Sequence, residues 1–156
     1  SREPGVLGFI LDSSNIYCGI IPDGLHVHYS SISIAKKLLG DKLYMVTDAA
    51  SPAGTNMTEF MFEGNLVYHK DGKCVDANGT LGGSALVMID GVKNLIQGAK
   101  FSYEEALKMA TSYPAKAIQV DSRYGHIKPG YIADLTYFDE NFKVKGTISK
   151  GILERY

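Results

Sequence analysis

The sequence has no long run of charge of one sign. Sixteen basic residues stand against seventeen acidic ones, leaving a formal charge of −1 over 156 residues. That balance excludes the basic footprint of a nucleic-acid binder and a polybasic membrane patch, so the expected partners are small molecules or further copies of the chain. No apolar run approaches the roughly 18 residues of a membrane span, and the N-terminal residues form neither a basic nor an apolar signal region. The expected location is therefore the cytoplasm. Cysteine is scarce: Cys18 and Cys74 lie far apart with no C-x-x-C spacing, and Cys18 falls in an apolar run. Buried free thiols fit this better than a disulfide, which points to a reducing compartment. Internal repeats, low-complexity tracts, a Walker loop and a dinucleotide fingerprint are all missing. What is present is 45% hydrophobic with mean hydropathy near zero, enough for one ordinary domain with a real core. The opening Ser1-Arg2-Glu3-Pro4-Gly5 reads as a loop from within a longer protein.

Residues 15–21 are apolar, β-branched and aromatic, and Pro22-Asp23-Gly24 bounds them, which predicts a buried strand. Residues 31–39 place Ile32, Ala35, Leu38 and Leu39 at helical spacing, with serines available as caps and Gly40 at the end. Residues 43–47 form the next strand. Strand, helix and strand in this order make a parallel βαβ unit, an α/β arrangement whose chemistry lies beyond the carboxyl ends of its strands. Those ends fall at 22–28 and 48–54. Short strands at 60–62, 66–68 and 73–75, separated by Glu63-Gly64-Asn65 and Asp71-Gly72, predict an antiparallel meander. A helical period returns from Ser84, with Leu86, Ile89, Val92, Leu95 and Ile96 on one stripe. A second helix opens on the Ser102/Glu105 capping box and buries Ala106, Met109, Ala110 and Tyr113 before Pro114. The remainder is turn-rich and strand-like, and is expected to form a separate small β layer.

Several residues could carry chemistry. Asp48 ends an apolar strand and precedes Ser51-Pro52-Ala53-Gly54. It is either an ordinary turn residue bonding nearby backbone N–H groups or a catalytic group at the open face of a barrel. His26-Val27-His28 can place two imidazoles on one side of a strand, but with no third ligand nearby a single functional imidazole, His26, fits better. His69 and His126 sit beside turn residues and are expected to be exposed. Arg2 can meet a phosphate bidentately or lie solvated at the surface. Thr80-Leu81-Gly82-Gly83-Ser84-Ala85 reads as a small-residue loop running into a helix N-terminus, either a tight turn with a cap or a site where backbone N–H groups hold a polar ligand.

Taken in order, Arg2-Glu3-Pro4-Gly5, Ile20-Ile21-Pro22-Asp23-Gly24-Leu25-His26-Val27, Leu43 through Asp48-Ala49, Gly79 through Ser84, Met109-Ala110-Thr111 with Pro114-Ala115, and Gly125 through Leu135 resemble the N-acetylglucosamine-6-phosphate deacetylase family of the amidohydrolase superfamily. The resemblance covers essentially the whole chain. It implies the carboxyl-terminal part of a TIM-like (β/α)8 metal-dependent hydrolase barrel over residues 1–122, with a β-meander insertion at about 58–76. Residues 123–156 would then supply strands of an accessory β-sandwich. It further implies a divalent metal, zinc or iron, that activates a water, with Asp48 passing that water's proton to the departing amine. His26 would contact the sugar phosphate, and Arg2 would grip it from the neighbouring subunit of a homodimer or homotetramer. The backbone of Leu81, Gly82, Gly83 and Ser84 would line the sugar pocket. The family does not require a histidine at His28, so it is left out of this site. The family's metal ligands, a glutamate and two histidines, match no segment here, so the chain alone is expected to be inactive. Two other functions remain open, an amidohydrolase acting on a cyclic amide or nucleobase, and a non-catalytic phosphosugar-binding module.

Overall fold

The computed structural model describes residues 2–13 and 15–156. Its first element, α1 (Gly5–Asp12), follows the opening loop and was not expected from the sequence. Two glycines and a preceding proline hide this helix from a propensity reading. It leaves Val6 and Phe9 77% and 66% exposed. Then come β1 (Cys18–Ile20), α2 (Tyr29–Leu39), a 3-10 turn over Gly40–Lys42, and β2 (Leu43–Met45). The strands pair in parallel, Cys18 opposite Leu43 and Ile20 opposite Met45, so the βαβ unit is present. Its helix begins two residues earlier than the serines suggested. His28 is the N-cap, its Nδ1 accepting from the Ser30 N–H at 3.2 Å. The helix stops at Gly40, whose φ of +56° glycine adopts without a Cβ penalty.

The meander follows as β3 (Glu59–Phe62), β4 (Asn65–Lys70), β5 (Lys73–Val75) and β6 (Leu81–Ser84), antiparallel in that order. Both tight hairpins use paired positive φ values, +49° and +80° at Glu63-Gly64 and +53° and +75° at Asp71-Gly72. That is the turn geometry whose twist matches the flanking strands. Phe60, Val67 and Cys74 bury themselves as a small core of this sheet. The fourth strand corrects the sequence reading. Residues 81–84 do not form a loop entering a helix, because pairing with β5 draws them into extended backbone. The helix starts only at α3 (Met88–Gln97).

Helix α3 packs with α4 (Tyr103–Ala110) and α5 (Ser112–Ala117) over the main core, where Ile32, Leu43, Met45, Leu95 and Met109 are almost fully enclosed. Burying each such side chain is worth about 1.5–3 kcal/mol. Ser102 caps α4 as its sequence indicates, its Oγ accepting from the Glu105 N–H at 3.1 Å. Pro114 does not end this region, since it sits in the first turn of α5, where no donor is needed. Lys36 ties α2 to this layer, pairing with Glu105 and lying 4.5 Å above the Tyr113 ring. The chain closes with β7 (Leu135–Phe138), β8 (Val144–Ser149) and β9 (Ile152–Arg155), a three-stranded antiparallel sheet. Cys18 and Cys74 are free thiols, half-buried and buried, and burial pushes both above the usual thiol range. Among the described residues no helix is long and apolar enough to cross a membrane.

Candidate active site

Parallel strands deliver their following loops to the same end of the sheet. The β1–β2 pairing continues one step further, with the Val46 N–H donating to the Ile20 carbonyl at 2.9 Å. The segments that leave Ile20 and Val46, carrying His26 and Asp48, therefore start side by side.

The first loop is organised by Asp23. One carboxylate oxygen, Oδ1, accepts from the backbone N–H groups of Leu25 and His26, both at 2.9 Å. The other, Oδ2, meets His26 Nδ1 at 2.6 Å. The two side chains are only 7% and 18% exposed. Burial alone would raise the Asp23 carboxyl. The His26 ring and the two backbone donors outweigh that and hold it below the ordinary carboxylate value. Gly24 turns the chain at φ +73°, and a Cβ there would come within 2.9 Å of the Tyr29 ring. Burial, and then the Asp23 charge, raise the Tyr29 phenol. His28 is occupied as the cap of α2 and plays no part in this pair.

The second loop is held by a distant strand. Asp48 sits at φ +52°, in the left-handed region that side chains seldom adopt, and is exposed. Its carbonyl accepts from the Ser84 N–H at 2.9 Å, and the Ala50 N–H donates to the Ser84 carbonyl at 2.8 Å. Ser84 is 1% exposed. Its hydroxyl donates to the Thr47 carbonyl at 2.5 Å and accepts from the Leu86 N–H at 3.0 Å. Gly83 lies so close that a Cβ would reach 3.2 Å from Ala50 Cβ and 3.4 Å from the Asp48 carbonyl oxygen. The Asp48 carboxylate itself takes no hydrogen bond among the described residues, so the turn-residue reading, in which the side chain bonds its neighbours' backbone, does not describe it. A non-glycine residue in such a conformation costs about 1–3 kcal/mol and persists where surrounding structure imposes it. Here the imposing structure is β6.

The fold thus brings Asp48 together with Gly83 and Ser84 of the segment Leu81, Gly82, Gly83 and Ser84. Leu81 is exposed and the two glycines are half-buried, while the Ser84 hydroxyl is consumed internally. Arg2 is exposed just ahead of α1 and makes no hydrogen bond or ion pair among the described residues. His126 is exposed and edges onto Tyr131 at 5.9 Å. His69 departs from its expected exposure. It is half-buried, its Nδ1 lies 3.1 Å from the Met57 carbonyl oxygen, and it lines a cavity of about 540 Å³ with Asp23, Asp71, Asp90, Lys93 and Asn94. Asp23 and the bracing role of Ser84 escaped the sequence reading. The only available signal for Asp23 was its position three residues before His26 after Pro22.

Among the described residues no group of three or more His, Cys, Asp or Glu side chains is arranged to hold a metal ion. The chain's own donors therefore do not fit the divalent ion that its resemblance implies.

Comparison with known proteins joins these observations. The chain is 42% identical over 152 residues to N-acetylglucosamine-6-phosphate deacetylase of Haemophilus influenzae, covering 96% of this chain and 40% of that protein. It is 39% identical over 145 residues to N-acetylgalactosamine-6-phosphate deacetylase of a Shewanella species, covering 92% of this chain and 36% of that protein. The crystal structure of N-acetylglucosamine-6-phosphate deacetylase from Pasteurella multocida superposes with a TM-score of 0.93 at 50% identity, over 97% of this chain and 40% of that one. The chain spans about 40% of the length of the first and third of these proteins. Residues 8–153 match the model of the amidohydrolase family, whose members are generally metal-dependent, and the chain belongs to that family.

Proposed function

We propose that this chain is the carboxyl-terminal part of a cytoplasmic enzyme that hydrolyses the N-acetyl group of N-acetylglucosamine 6-phosphate, giving glucosamine 6-phosphate and acetate. In this reading residues 1–122 are the later strands and helices of a TIM-like (β/α)8 barrel, with the meander inserted, and residues 123–156 belong to an accessory β-sandwich. The observation that carries the reading is the Asp48 carboxylate, exposed, without a hydrogen bond among the described residues, and held in a left-handed conformation just past β2 against Gly83 and Ser84. A carboxylate held this way is free to accept a proton from an attacking water and to return it to the nitrogen as the C–N bond breaks. The water oxygen ends in acetate, and the returned proton completes the amine. His26 faces the phosphate and the backbone of Leu81, Gly82, Gly83 and Ser84 lines the sugar. Arg2, exposed and without an ion pair among the described residues, reaches the phosphate of a neighbouring subunit in a homodimer or homotetramer. The zinc or iron ion belongs to ligands outside these residues, and the 156-residue chain alone is inactive.

The test is acetate release by the intact enzyme from the phosphorylated and unphosphorylated sugars. The phosphorylated sugar should be strongly preferred. Asp48→Asn should abolish turnover, by roughly 100-fold or more for loss of a general acid–base group, while calorimetric binding of the phosphosugar persists. Near-normal turnover by that variant, or metal-dependent turnover by the isolated chain, would overturn the proposal.

A further inference from the structure

We infer that Asp23 is a positioning residue for His26, fixing the ring so that its Nε2, and not Nδ1, is presented to the substrate phosphate. This rests on the reading of His26 as the phosphate-facing imidazole, and it adds a residue that neither the sequence motifs nor that reading assigned.

The two oxygens of Asp23 do different work. Oδ1 takes the Leu25 and His26 N–H groups, which is what a carboxylate in an ordinary turn does. Oδ2 is not needed for the turn and is spent on His26 Nδ1 at 2.6 Å, a short contact of the kind charged partners make. An ionised carboxylate only accepts, so Nδ1 must carry the hydrogen and Nε2 is left as the outward nitrogen. The carboxyl's lowered pKa keeps it ionised at neutral pH. When the ring is protonated, Nδ1–H remains bonded to Asp23 and the new Nε2–H is the one available to a phosphate oxygen. The Asp23 side chain is only 7% exposed, which limits the solvent that competes for its carboxylate. Gly24 turns the chain between the two residues at φ +73°, where a Cβ would meet the Tyr29 ring.

Asp23→Asn separates this role from the turn. The amide oxygen can still accept from the Leu25 and His26 N–H groups, so the loop survives. Its NH2 now faces Nδ1 and can only donate, which forces the hydrogen onto Nε2 and opposes formation of the doubly protonated ring. In the intact enzyme, kcat/KM for the phosphorylated sugar should fall roughly tenfold or more, in line with loss of groups that orient a ligating histidine, and the larger part should be a rise in KM. Preference over the unphosphorylated sugar should shrink correspondingly. The double variant with His26→Ala should be no worse than His26→Ala alone, because Asp23 acts only through that ring. Side-chain nitrogen NMR of the unsubstituted enzyme should show the neutral His26 ring protonated at Nδ1. A ring protonated at Nε2, or additive losses in the double variant, would overturn the inference. If His26→Ala leaves phosphate preference intact, the failure lies in the reading of His26 itself. If His26→Ala removes the preference and Asp23→Asn does not, the failure lies with Asp23 alone.

Discussion

The loops leaving β1 and β2 start side by side and are built in opposite ways. The loop of His26 is self-contained: its hydrogen bonds run from Asp23 to residues two and three positions on. The loop of Asp48 borrows its shape from β6, through Ser84, whose hydroxyl holds the Thr47 carbonyl 37 positions away. A locally closed loop can form as soon as its few residues meet. A loop held across the chain takes its shape only after the meander has folded and docked. The difference assigns separate sensitivities. Damage to the local loop should disturb the phosphate-facing ring and appear in KM. Damage to the distant brace should move the proton-handling carboxylate and appear in kcat.

The largest effect that would test this division is Gly83→Val. It places a β-branched side chain at φ +86° with its Cβ 3.2 Å from Ala50, combining backbone strain with overpacking, each costing about 1–3 kcal/mol. Chemical denaturation should show the loss, and kcat should fall; because Gly83 also lines the proposed sugar pocket, the kcat change is the one that reports on the brace. Next is Ser84→Ala, which strands the Thr47 carbonyl and the Leu86 N–H in a buried setting. Leaving buried polar groups unpaired costs about 1–3 kcal/mol. A Ser84→Ala enzyme that lost phosphosugar affinity while keeping its kcat would erase the distinction between the loops. Gly24→Ala is the counterpart in the local loop. Its Cβ meets the outer edge of the Tyr29 ring at 2.9 Å, a side chain that can shift, so roughly 1–2 kcal/mol is expected from the unfavourable φ and the displaced ring. Its kinetic signature should be in KM.

The same contrast explains what could be read from the sequence. Elements specified by neighbours in the chain were legible: the parallel strands from their apolar runs, the hairpins from Glu63-Gly64 and Asp71-Gly72, the α4 cap from Ser102 and Glu105. Residues 81–84 were not, because Gly82 and Gly83 carry no strand propensity and become extended only through β5. The start of α3 was misplaced with them. Asp48 was legible as a candidate and not as a left-handed residue, since the strain is imposed from Ser84. The positions that proximity in the chain could not announce, Ser84 behind Asp48 and His69 half-buried beside the cavity, are those where distant segments meet. Asp23 is the exception, a local interaction that a three-residue spacing to histidine could have signalled.

The smallest effect expected is also the most selective for the local loop. The Asp23 carboxyl has a native pKa below its unfolded value, so the stability it contributes is fully present above the unfolded pKa and is lost as pH falls through the native one. Among the described residues Asp48 takes no side-chain hydrogen bond, and its loop is braced by a serine hydroxyl and backbone groups that do not titrate in this range. Acidification below the ordinary carboxylate range should therefore loosen the His26 loop before the Asp48 loop. Amide exchange offers the measurement, since the Leu25 and His26 N–H groups are held by Asp23 while those of Ala50 and Ser84 are held by backbone carbonyls. Protection at Leu25 and His26 should decline first as pH is lowered, after correction for intrinsic exchange, and should be nearly pH-independent in Asp23→Asn, whose amide does not ionise. Simultaneous loss at all four amides would show that the two loops open as one unit, and the separation of KM from kcat effects would then have no structural basis.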